Sequence, residues 1–129
     1  MNIFKFHNQN PKGKKVSDCV VRAISYAMGK SWYEVYDDLS ILGRKMGDMP
    51  NNKPVFSKYL ENSGWIKNKM PRHDDNTRYT LYDFAKENNK GIFIVLIAHH
   101  LTVVENGQII DTWNCNKCVG NYWTKWRKK

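Results

Sequence analysis

A cysteine, a histidine pair and an aspartate stand in the order Cys19, His99-His100, Asp111 in this chain of 129 residues. Together these side-chain types can break an acyl bond. Sulfur attacks a carbonyl carbon, an imidazole takes or shares its proton, and a carboxylate fixes the imidazole's tautomer and steadies its charged form. Cys19 sits where a helix should begin. Asp18 or Ser17 can serve as N-cap, and Val20, Val21, Ile24, Ala27 and Met28 form an apolar face with helical spacing. A helix N-terminus carries partial positive charge and free N–H groups. It lowers the pKa of a thiol placed there and can receive an oxyanion. A lone cysteine is also a common core residue, so its partners decide the matter.

Those partners lie on a predicted hairpin. His99-His100-Leu101-Thr102-Val103-Val104 leads into Glu105-Asn106-Gly107-Gln108, and Asn-Gly suits the positive φ angles of a type I′ turn. With Asn106 and Gly107 as the loop, Glu105 faces Gln108, Thr102 faces Asp111, and His100 faces Trp113. His100 and Asp111 are then diagonal neighbours on one face, roughly 7–8 Å apart and within side-chain reach. His99 points to the other face. This register favours His100 as base and Asp111 as its orienter; a bulged loop with an odd residue count would favour His99.

The elements that must position these groups follow from local signals. A first helix runs from Cys19 until Gly29 stops it. Ser31-x-x-Glu34 is a capping box for a second, with Val35, Leu39 and Leu42 as its apolar face and Gly43 or Gly47 as its end. A third starts at Pro54 and runs to about Asn62 before Gly64. Residues 66–78 read as a loop with room for one short strand. Thr80-x-x-Asp83 opens a fourth helix that ends near Asn89–Gly91. Strands follow at Ile92–Ala98, Leu101–Val104 and Gln108–Trp113, with a short one at Tyr122–Trp126. Helices first and strands last predict a single α+β domain over residues 1–129, its N-terminal helices packed on a C-terminal antiparallel sheet.

Composition bounds the reading. The chain is 41% hydrophobic and 26% charged, which excludes overall disorder and fibrous repeats. No apolar run reaches the roughly 18 residues of a membrane helix, and Met1–Asn10 has no apolar signal-peptide core, so the expected compartment is the cytoplasm. The three cysteines are then expected as thiols. A formal charge of +9 admits an acidic partner such as nucleic acid, although the charge is scattered. Cys115-Asn116-Lys117-Cys118 reads as a surface turn or disulfide-capable loop rather than a zinc or redox motif, because no second ligand pair follows. No metal or cofactor is expected. His73-Asp74-Asp75 reads as a solvated polar loop. In the tail Tyr122–Lys129, aromatics interleave with cations. That pattern suits single-stranded nucleic acid, but a strand with buried tryptophans and wet lysines is favoured.

The order Cys, His, Asp, with the Cys on the first helix and the others on neighbouring strands, resembles that of papain-like cysteine peptidases. Asp111-Thr112-Trp113 is similar to their Asn-Ser-Trp, whose Trp shields the His–Asn contact. Asp18-Cys19-Val20-Val21-Arg22-Ala23-Ile24 together with His100-Leu101-Thr102-Val103-Val104 is also similar to small phage and mobile-element proteins classed near the bacteriocin-processing peptidases. The likeness covers about residues 10–30 and 92–114. It implies a minimal papain-like fold, host cytoplasm if phage-encoded, and a peptide or protein substrate. Cys19 would be nucleophile, His100 base, Asp111 orienter and Trp113 shield, with Asp18 in support. The family's oxyanion-hole Gln lies six residues before the Cys, where Gly13 stands here; Gln9, Asn8 or Asn10 could supply the amide instead. An acyl transferase would use the same triad. The competing expectation is an inactive peptidase-like module whose basic surface binds nucleic acid or a host protein, for instance against a host defence.

Overall fold

The computed structural model describes residues 2–126. Its elements in chain order are β1 (Phe4–Phe6), α1 (Cys19–Met28), α2 (Trp32–Met46), α3 (Lys53–Asn62), β2 (Ile66–Asn68), α4 (Leu81–Glu87), β3 (Ile92–Ile97), β4 (His100–Glu105), β5 (Gln108–Asp111) and β6 (Tyr122–Thr124). The strands form one six-stranded sheet in the order β1-β5-β4-β3-β6-β2. The fold class is α+β, as expected, with the N-terminal helices against the C-terminal sheet. Among the described residues, no helix is long and apolar enough to cross a membrane.

Local chemistry explains the helix ends. Gly29 closes α1 and Gly47 closes α2, both left-handed at φ 66° and 67°. Ser31 caps α2 by accepting from Glu34 N, and Thr80 caps α4 by accepting from Asp83 N. The Asp18 expectation needs correction. Asp18 occupies the N-cap position of α1, but its side chain makes no capping hydrogen bond.

The sheet separates two cores. On one face Ile24 of α1, Leu39 of α2 and Leu60 of α3 pack with Ile94, Leu101, Val103 and Trp123. On the other, Leu81 and Phe84 of α4 pack with Phe93, Val95, Val104 and Ile109. Alternation along β3 and β4 sends successive apolar side chains to opposite cores, which is why these strands read as nearly continuous apolar runs.

The expected β4–β5 register holds. Glu105 pairs with Gln108 and Val103 with Ile110, around a turn in which Asn106 and Gly107 have φ 50° and 81°. The turn of the other hairpin lies one residue earlier than expected. Ile97 pairs with His100, which leaves Ala98 and His99 as the turn, with His99 at φ 53°. His99 is therefore exposed at a turn tip, not aimed at the far face of a strand. The sheet is also not purely antiparallel. β1 pairs in parallel with β5, Phe6 opposite Asp111. Its three residues are largely exposed, so no hydrophobic alternation marked it. The tail expectation of a packed strand fits β6, which is wholly buried, and Trp126, which packs on Phe93; residues 127–129 lie outside the described residues.

Gly43 joins α2 to the loop before α3. A Cβ there would meet Asp48 O at 2.8 Å and Pro50 N at 3.2 Å, both backbone. Gly→Ala in a helix interior ordinarily stabilises by about 0.5–1 kcal/mol. Here Gly43→Ala should destabilise by about 1–3 kcal/mol, measured by denaturant unfolding, because the loop must move to admit the methyl group.

Candidate active site

Asp111 ends β5 as a buried carboxylate, 5% exposed, and a buried charge needs partners. It has five. His100 Nε2 lies 2.7 Å from its Oδ2, and Thr102 Oγ1 donates to the same oxygen at 2.6 Å. Its other oxygen accepts from Thr112 N at 2.7 Å and lies 3.5 Å from Arg22 Nη2 on α1. Cys115 reaches Oδ2 from below with its thiol, at 3.5 Å. Burial alone would raise the Asp111 pKa. The hydrogen bonds from His100 and Thr102 and the charge of His100 outweigh it and hold the carboxyl below its ordinary value.

His100 passes this constraint on to Cys19. Nε2 is held by Asp111, and His100 and Cys19 are near enough that each shifts the other's titration. Burial would lower the His100 pKa. Hydrogen bonds with Asp111, Cys115 and Cys19 and the Asp111 charge raise it strongly instead. Burial would likewise raise the Cys19 thiol. The His100 hydrogen bond, the Leu101 backbone N–H, and the charges of His100 and Arg22 reverse that and lower it. The two shifts point the same way. Both favour the thiolate–imidazolium form of the pair, whose protons belong to the two groups together.

The start of α1 supports the same charge. A carboxylate capping this terminus would repel a thiolate and compete with an incoming oxyanion. The Asp18 carboxylate is instead turned away. It pairs with Arg22 on one side, accepts from Trp32 Nε1 at 2.9 Å, and accepts from Asn10 Nδ2 at 3.1 Å. No side chain caps the first N–H groups of α1, which stay available beside the sulfur.

The expected amide donors separate in the structure. Asn10 is buried, with its amide on Asp18 and its oxygen accepting from Lys12 N at 2.9 Å; it braces the loop. Gln9 Oε1 lies 2.6 Å from His7 Nε2, and Gln9 lines a tight gap behind Cys19, between α1 and the sheet. Neither lines the open hollows at Cys19. Asn8 does. It borders the same hollow as Cys19 and His100, and its Oδ1 accepts from Asn10 N at 3.0 Å, which fixes the side chain. Trp113 packs on His100 with ring centroids 5.1 Å apart and is 42% exposed, so it roofs the imidazole from solvent without being core.

Cys19 lies where two hollows meet. One, of about 570 Å³, runs past Asn8, Lys14, Lys15, His99 and Trp113. The other, of about 420 Å³, runs past Asn52, Lys53, Phe56 and His99. The sulfur and imidazole stand at the middle of an open groove, with His99 at its lip.

The cysteine motif near the C-terminal end also needs correction. All three cysteines are free. Cys118 is exposed, but Cys115 is fully buried against Thr102 and Asp111, so the two sulfurs do not form one surface turn. Nothing in the sequence spacing marked Cys115 as a neighbour of His100. It arrives there through the loop after β5. Its sulfur, with one ligand atom each from His100 and Asp111, forms a group in which all atoms lie within 4.8 Å of one another, a donor set that could hold a metal ion. His73 behaves as a loop residue, stacked on Tyr79 at 3.9 Å.

No protein-family model, curated protein or solved structure matches this chain.

The lowered Cys19 pKa has a direct reactivity consequence. Thiolate persists there below the ordinary thiol value of 9.0, whereas an unperturbed thiol loses about tenfold in thiolate per pH unit. At about pH 6, iodoacetamide should modify Cys19 far faster than exposed Cys118, read by peptide mass spectrometry. His100→Ala should remove the advantage. Equal labelling of Cys19 and Cys118 would contradict the ion pair.

Proposed function

We propose that this chain is a cysteine-nucleophile amide hydrolase of minimal papain-like architecture, working on peptide or protein substrates in the cytoplasm. The observation that carries the reading is the Asp111–His100 contact beside Cys19 at an uncapped helix start, with His100 and Cys19 lining the same two hollows. The thiolate of Cys19 attacks the carbonyl carbon and the oxygen becomes an oxyanion. Its donors in this reading are the N–H groups at the start of α1 and the amide of Asn8, which lines the same hollow as Cys19. As the tetrahedral intermediate collapses, the C–N bond breaks. His100 gives its proton to the departing amine and a thioester remains on Cys19. Water then attacks the thioester, His100 takes its proton, and the C–S bond breaks to release a carboxylate and restore the pair. An amine in place of that water makes the same site an acyl transferase.

A second reading is favoured by one observation, the His100, Asp111 and Cys115 donor set. There the same histidine and aspartate would hold a zinc ion that activates water, and Cys19 would be dispensable. The two readings diverge under chelation. Hydrolysis that survives EDTA and vanishes in Cys19→Ala belongs to the thiol reading; the reverse belongs to the metal.

Variants separate the roles, scored by turnover of an activated acyl ester and by the mass of the acyl-enzyme. Cys19→Ala and His100→Ala should each abolish turnover, since the two act as a unit. Asp111→Asn should lose less than Asp111→Ala, because a carboxamide oxygen still accepts from the imidazole. Asn8→Ala should lower kcat by about 10²-fold or more with acylation still on Cys19, the cost of removing one oxyanion donor. His73→Ala, in a distant loop, should be unchanged. Full turnover in Cys19→Ala would end the thiol reading.

A further inference from the structure

The groove through Cys19 carries positive charge on both sides of the sulfur and no carboxylate on its walls. Lys14 and Lys15 line one hollow and Lys53 lines the other; neither lining includes an aspartate or glutamate. The two nearby carboxylates, Asp18 and Asp111, are buried beneath and already matched by Arg22 and His100. Among the described residues Lys30 is the one lysine in an ion pair, with Glu34 and Asp38, so the groove lysines differ from the rest by their position beside Cys19 and not by lacking a partner. Lys53 Nζ donates to the neutral amide oxygen of Asn121 at 2.7 Å, and burial, then the charge of neighbouring Lys67, lower its pKa. Exposed Phe6, Val16 and Trp113 add apolar surface beside Lys14 and Lys15.

We propose that this groove selects acidic peptide segments, with carboxylate side chains on both flanks of the bond placed at Cys19. The inference rests on the amide-hydrolase reading for that bond. A peptide fits better than a nucleic acid because the two charged arms converge on a thiolate and imidazolium, which act on an acyl carbon. A nucleic-acid backbone offers none.

Electrostatic selection of this kind is strongest at low ionic strength and is screened as salt rises. The test uses the full chain carrying Cys19→Ala, so that bound peptide is not consumed. Fluorescent dodecapeptide pools, randomised at the two central positions and carrying Glu, Gln or Lys at the flanks, are titrated by anisotropy. The Glu pool should bind about tenfold or more tighter than the Gln pool at about 50 mM salt, and the gap should shrink at about 300 mM. Lys14→Glu with Lys15→Glu, and separately Lys53→Glu, should each erase most of the preference. Lys86→Glu on α4, across the sheet, should not. Equal binding of Glu and Gln pools overturns the inference, as does displacement by a single-stranded oligonucleotide at lower concentration than by the Glu pool. The protein with Cys19 intact separates the two levels. Cleavage of both pools at equal rates upholds the hydrolase and overturns the selectivity. Selective binding of the Glu pool with no cleavage of it upholds the selectivity and overturns the hydrolase.

Discussion

A buried carboxylate holds this molecule's working parts together. Asp111 has almost no water around it, so its charge requires donors. The donors come from β4 (His100, Thr102), from α1 (Arg22), and from the loop after β5 (Thr112, Cys115). Each ties a different element to one point. The β4–β5 register must bring Thr102 opposite it, α1 must lie with Arg22 over the sheet end, and the following loop must fold back. Removing the charge would loosen all three at once. The same carboxylate raises the pKa of His100, and His100 in turn lowers that of Cys19.

Electrostatics at the head of α1 is arranged around that sulfur. Two aspartates lie close by, and either could have opposed a thiolate. Asp111 acts through the imidazole, so its effect on Cys19 arrives as positive charge. Asp18 is drawn aside by Arg22, Trp32 and Asn10. Arg22 touches both carboxylates, and its permanent charge also helps to lower the Cys19 pKa.

The groups whose positions depend on local rules were legible in the sequence. The start of α1 at Cys19, the caps at Ser31 and Thr80, and the Asn106-Gly107 turn each rest on a few adjacent residues, and the structure reproduces them. The turn mattered most, because a two-residue loop places His100 and Asp111 on one face. What escaped notice depends on distant parts of the chain. β1 is three residues whose partner strand lies about a hundred positions away. Asp18 is a good N-cap by type, but Arg22 and Trp32 compete for it only once α1 and α2 are packed. Cys115 looked like half of a surface pair because spacing carries no information about burial. His99 was misplaced by one tight turn that no glycine announced; it takes the left-handed conformation itself. Among Asn8, Gln9 and Asn10, sequence offered no means of choosing, since the choice depends on β1 setting the loop's path.

The claim on which everything else rests is that Cys19 carries its negative charge at rest because His100 and Asp111 hold the compensating proton. Thiolate absorbs near 240 nm. A pH titration of that absorbance, with Cys19→Ser as the blank, reads the charge directly. The account predicts a Cys19 step well below the ordinary thiol value of 9.0, shifted upward in both His100→Ala and Asp111→Ala. A step at or above the ordinary value, or one that ignores both substitutions, would contradict it.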